Sequence, residues 1–189
     1  MTNQLSDIKI AFLVANEGVE QVELTEPWQR VIDEGATPTL ISLEAGEVQG
    51  FDHLTADKTF DATVAVADAS VADYAALVLP GGVANPDQLR TDDDAVAFVT
   101  GFFEAGKPVA AICHAPWTLV EAGVLSGRTL TSWPSLRTDI ENAGGSWKDE
   151  EVVVCTSGPN TLVTSRNPDD LPAFGDAIVD EVSKAAARA

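Results

Sequence analysis

Short apolar runs alternate with helical patterns along most of the chain. Residues 8–15 place Ile10, Phe12, Leu13 and Val14 in one run and predict a strand. Leu24, Trp28, Val31 and Ile32 then fall at i, i+4, i+7 and i+8, which predicts a helix over about 20–34, stopped by Gly35. Residues 39–43 read as a second strand. From 44 to 70 the pattern weakens. Gly46, Gly50 and Asp52 mark turns there, and only 63–66 reads as strand. Residues 75–79 form the next apolar run, closed by Pro80-Gly81-Gly82. Thr91 is the expected N-cap of the helix that follows, and Asp92, Asp93 and Asp94 fill its first turn, where carboxylates suit the dipole. Ala95, Phe98, Val99, Phe102 and Phe103 form its apolar face, and Gly106-Lys107-Pro108 ends it. Strand 109–112 runs into Cys113 and a helix to about 122. A strand at 129–132, a helix at 135–143, a paired strand couple at 152–155 and 161–165, and a last helix at 168–187 complete the reading.

This alternation predicts an α/β chain forming one domain over residues 1–189, with a mainly parallel sheet and helices on both faces. Crossovers in such sheets are right-handed, and sites form beyond the carboxyl ends of the strands. The turns at Gly81-Gly82 and at Cys113 both lie at that edge, so they converge on one crevice.

Composition narrows the setting. The formal net charge is −19, from 30 acidic and 11 basic residues. Such a chain repels nucleic acid and acidic membrane surfaces, so neither is an expected partner. No apolar run approaches the roughly 20 residues of a membrane span. The start, Met1 to Asp7, is polar and reads as no signal peptide. With only two cysteines, Cys113 and Cys155, a disulfide is not expected and a reducing cytoplasm is. The acidity fits either a high-salt source or an ordinary acidic composition.

Cys113 is the first candidate for chemistry. A thiol where a strand hands over to a helix has the layout of a nucleophile elbow, under backbone strain. Helix N–H groups there favour the thiolate. The alternative is a small buried apolar residue. His114 is the second candidate, as a base on substrate or water, or as a packing residue. Adjacent helical residues point about 100° apart, so a direct bond from His114 to the thiol is not expected. His53, in a Gly/Asp-rich loop, reads as surface. Glu23 is the third. It precedes Pro27 by four residues, so its carbonyl loses the usual helical partner and the helix is expected to be disturbed. A carboxyl group at that edge can reach the crevice, and burial beside a thiolate would raise its pKa. Glu17 and Glu20 compete with it. Gly81 and Gly82, with the His114 amide, could form an oxyanion hole, or merely end a strand. Two histidines and two cysteines in scattered contexts predict no metal site.

Four segments together carry a resemblance: residues 14–24, 76–82, 106–116 and 165–171, the third being Gly-Lys-Pro-Val-Ala-Ala-Ile-Cys-His-Ala-Pro. They resemble the PfpI family of intracellular proteases and protein deglycases, in the class I glutamine amidotransferase-like superfamily. The resemblance covers about residues 8–182. It implies a flavodoxin-like three-layer sandwich that self-associates as a dimer or hexamer. It implies Cys113 as nucleophile, Glu23 as its carboxyl partner, His114 as the adjacent triad member, and no cofactor. In the protease branch a third acid comes from a neighbouring subunit, just after the Gly-Gly turn. The matching stretch here is one residue longer and offers the shorter Asp87. Ala115 stands where glycine is usual, and Trp117 where a polar residue is common. Gly81, Gly82, Glu20, Asp87 and Trp117 are therefore the expected oxyanion and substrate-binding set. Three functions follow: an enzyme acting on small 2-oxoaldehydes or their protein adducts, a cysteine peptidase, or an oxidation-sensing stress protein in which Cys113 becomes a sulfinate.

Overall fold

A computed structural model describes residues 4–188 of the 189. The polar segment Met1 to Asn3 and Ala189 lie outside the described residues. In chain order the elements are β1 (Lys9–Val14), β2 (Glu17–Glu20), α1 (Gln21–Asp33), β3 (Thr37–Ser42), β4 (Gly46–Asp52), β5 (Thr55–Ala62), β6 (Val64–Ala65), β7 (Ala76–Leu79), α2 (Ala84–Leu89), α3 (Asp93–Glu104), β8 (Val109–Ile112), α4 (Pro116–Glu121), β9 (Thr129–Leu130), α5 (Arg137–Asn142), β10 (Ser146–Trp147), β11 (Val152–Cys155), β12 (Leu162–Ser165) and α6 (Leu171–Ala186).

The main sheet runs β11-β12-β8-β7-β1-β3-β6. All its pairs are parallel except β11 with β12. Its strands β3-β1-β7-β8-β12 have the spatial order 2-1-3-4-5, the flavodoxin-like order. Side chains of β1 sort by alternation. Ala11, Leu13 and Ala15 join one apolar cluster with Leu79, Phe102 and Leu119, while Ile10, Phe12 and Val14 join another with Leu24, Phe174 and Ile178. Period-2 alternation therefore supplies two cores, each covered by helices. The crossover direction changes between β1 and β7, and β8 lies beside β7. The crevice at their carboxyl ends is where such folds build sites.

Several expectations need correction. Asp92, not Thr91, caps α3: its side chain accepts from Ala95 N at 2.8 Å, and Thr91 Oγ1 instead donates to Gln88 O. Residues 44–70 hold a β4–β5 hairpin, which pairs with β2 in a separate three-stranded sheet. β5 is exposed at nearly every position, so no apolar alternation announced it. Helix α1 continues through Pro27, which is buried; core packing there outweighs the missing backbone bond.

Candidate active site

Strand β8 ends at Ile112, and Cys113 follows with φ of +62°. A left-handed backbone at a non-glycine residue costs roughly 1–2 kcal/mol, and the surroundings hold it. Cys113 N–H donates to Ser165 O at 3.1 Å, and Cys113 O accepts from Trp133 N–H at 2.8 Å. The chain turns again through His114 and Ala115 before α4 begins at Pro116. Across the crevice, Gly81 follows β7. A Cβ there would lie 2.7 Å from Cys113 Cβ and 2.8 Å from Ile112 O, so only glycine fits.

Glu23 stands in the first turn of α1 and is fully buried. Its Oε2 accepts from Gly81 N–H at 2.9 Å. That N–H is thereby taken, which removes Gly81 from the expected oxyanion hole. Oε1 has no partner of good hydrogen-bond geometry. Burial raises the Glu23 pKa to about 8; the adjacent Cys113 thiol draws it down somewhat, and the Glu20 charge pushes it up. At neutral pH this carboxyl group keeps its proton.

The Cys113 thiol is pushed well up by burial and next by the Glu23 charge, while the N–H groups of Gly82 and His114 favour its anion. Cys113 Sγ and Nδ1 of the neighbouring His114 side chain are 3.1 Å apart. The 100° helical separation does not apply, because the positive φ at Cys113 swings the two side chains to the same side. Burial lowers the His114 pKa to about 4, so its imidazole is neutral at neutral pH.

Two tryptophans flank His114. Trp133 stacks on it at 5.5 Å between centroids, with ring planes 23° apart, and Trp117 lies at 5.3 Å. Trp117 Nε1 donates to Asp139 Oδ2 at 2.8 Å. Trp133 has no periodic signal in the sequence; it is tied to the elbow by its backbone N–H on Cys113 O as well as by this stacking. Among the described residues, Cys113 is the hydrogen-bonding partner of the His114 imidazole, and no acid of the same chain pairs with it. Asp87 instead lines a cleft of about 530 Å³ with Glu17, His53, Leu54, Val83 and Trp117. Asn85, also unread in the sequence, is fully buried; it accepts from Ala15 N–H and donates to Pro80 O and Gly81 O, pinning the Gly-Gly turn to β1. Glu20 is buried beside the crevice and accepts from His53 N–H.

This chain is similar to known proteins over most of its length. It is 45% identical over 155 residues to General stress protein 18 of Bacillus subtilis, covering 82% of this chain and 87% of that one. It is 42% identical over 169 residues to Deglycase PH1704 of Pyrococcus horikoshii, covering 88% and 95%. The crystal structure of Drosophila melanogaster DJ-1beta superposes with a TM-score of 0.80 at 25% identity, over 98% of this chain and 96% of that one. The profile describing the DJ-1/PfpI family matches residues 8–181, and the chain belongs to that family.

Proposed function

We propose that this protein is a cysteine-dependent, cofactor-independent hydrolase or lyase acting on small 2-oxoaldehydes or their adducts with protein side chains. The observation that carries this reading is the buried trio of Cys113, a neutral His114 at 3.1 Å and a protonated Glu23. Peptide cleavage needs a leaving amine protonated by an oriented imidazole. Aldehyde chemistry needs only a nucleophile, an oxyanion site and a proton carrier. Identity of 42% to a protein named a deglycase supports the same choice.

In this scheme Cys113 Sγ attacks the aldehyde carbon as its proton passes to His114 Nδ1. The oxygen becomes an oxyanion beside the Gly82 and His114 N–H groups and takes up a proton, giving a hemithioacetal. Transfer of the C1 proton to C2 through the carboxyl and imidazole groups converts this to a thioester of the 2-hydroxy acid. Water then releases the acid and restores the thiol, so one water is consumed and no external oxidant is needed. Trp117 and Trp133 are assigned as walls of the substrate space.

The test measures loss of methylglyoxal and gain of lactate against cleavage of casein, with Cys113→Ala as control. Cysteine-dependent lactate formation with no peptide cleavage is the expected result. Cysteine-dependent peptide cleavage without aldehyde turnover would put the peptidase first, and neither activity would leave the oxidation sensor.

Self-association belongs to the same proposal. Leu54 and Val83, 91% and 52% exposed, flank the cleft that holds Asp87. A dimer closing over this cleft is expected, held more firmly in high salt because screening weakens the repulsion of a −19 charge. Light scattering that returns a monomer at both low and high salt would contradict this.

A further inference from the structure

Pairing of two strands gathers a second group of chemical ligands, separate from the cysteine. Glu20 ends β2 and Asp52 ends β4; the two strands are parallel, with Glu20 opposite Phe51. That register sets Asp52 and His53 immediately beside Glu20, although more than 30 residues separate them in the chain. One ligand atom from each of the three lies within 4.8 Å of the others. The Glu20 Oε2 to His53 Nδ1 separation is 3.6 Å. That is close to the roughly 3.4 Å edge of a tetrahedron built on metal–ligand bonds of about 2.1 Å.

The Glu20 carboxyl group points to a missing cation by its own accounting. The residue is 7% exposed. Its Oε2 accepts from His53 N–H at 3.0 Å. Among the described residues no lysine or arginine pairs with it. A carboxylate so buried is costly unless a positive charge sits beside it. Asp52 and His53 are exposed in the single chain.

We propose that Glu20, Asp52 and His53 form a binding site for one divalent ion of the zinc class, with the remaining positions taken by water. One imidazole nitrogen and two carboxylate oxygens suit zinc, cobalt or nickel; magnesium and calcium favour all-oxygen sets. The acidic surface concentrates cations around it. The sequence offered no such site, because its ligands become neighbours only through the β2–β4 register.

The experiment titrates Co²⁺ into the full-length protein, read by d–d absorption, with Zn²⁺ displacement to rank affinity. One ion per chain is expected. Cys113→Ala should bind as tightly as the parent, since the thiol is not a ligand. His53→Asn, which tolerates the φ of +56° at this position, and Asp52→Asn should each weaken binding at least about tenfold. Their melting curves should match the parent, because both side chains are exposed. Loss of binding in Cys113→Ala, unchanged binding in both ligand variants, or displacement of Co²⁺ by equimolar Mg²⁺ would each overturn the site.

Discussion

A Glu23→Gln variant is expected to turn over a 2-oxoaldehyde about 10²–10⁴-fold more slowly than the parent, the range lost with a general acid–base group. Alkylation of its Cys113 at neutral pH should slow only by a few-fold. The two readouts separate because glutamine keeps the shape of the site. Its amide oxygen can still accept the Gly81 N–H that Glu23 Oε2 accepts at 2.9 Å, and its NH₂ can still donate toward sulfur, though more weakly than a carboxylic O–H. What it cannot do is carry a proton. The pH profile adds a second signature. With its pKa raised to about 8 by burial, Glu23 loses its proton as pH rises through that value. An anion then faces the sulfur, and the parent's turnover should fall above about pH 8. The variant should lack that alkaline limb. Equal turnover in both proteins, or the same alkaline limb in both, would remove Glu23 from the proton path.

The legible and illegible parts of this molecule divide along physical lines. The buried strands β1, β7 and β8 are continuous apolar runs, and their two special turns could be placed on one sheet edge from topology rules alone. Helix α3 announced itself by periodicity and by its aspartates, with an error of one residue at the cap. The hairpin of β4 and β5 did not, because Thr55–Ala62 packs little apolar surface and so carries no period. Helix α2 is six residues long with Pro86 inside it, too short for a repeat to show. At the site, residue types were readable but their couplings were not. The 3.1 Å contact of Cys113 with His114 depends on a positive φ that no spacing argument contains. The loss of Gly81 N–H to Glu23 is a long-range bond across 58 positions, and Trp133 meets the elbow by its backbone N–H on Cys113 O and by stacking on His114. Residue types and the strained elbow can be read from a sequence; side-chain couplings, whether within one turn or between distant segments, need the fold.

The same buried carboxyl group should leave a mark on stability. In the folded chain Glu23 holds its proton to about pH 8, against an ordinary value of 4.5. Between those values the folded state binds more protons than the unfolded one, so stability falls as pH rises. His114 has the opposite sign. Its pKa is lowered from 6.5 to about 4, so between these values the unfolded state binds the extra proton and stability rises with pH. From about 4.5 to 6.5 the two trends offset each other. Above 6.5 His114 is neutral in both states, and of these two groups only Glu23 contributes a slope up to about pH 8. At 1.36 kcal/mol per pH unit, that window is worth about 2 kcal/mol. For a chain of this size it corresponds to a drop of about 4–8 °C in melting temperature. The Cys113 thiol adds nothing here, since its raised value leaves it protonated when folded and its ordinary value of 9.0 leaves it protonated when unfolded. Glu23→Gln should abolish the slope and be the more stable protein at pH 8, even while it is the poorer enzyme. Thermal unfolding of both proteins between pH 6.5 and 8 decides the matter: parallel curves would mean that the folded carboxyl group ionises far below 8, and that the proton assigned to it at neutral pH resides elsewhere.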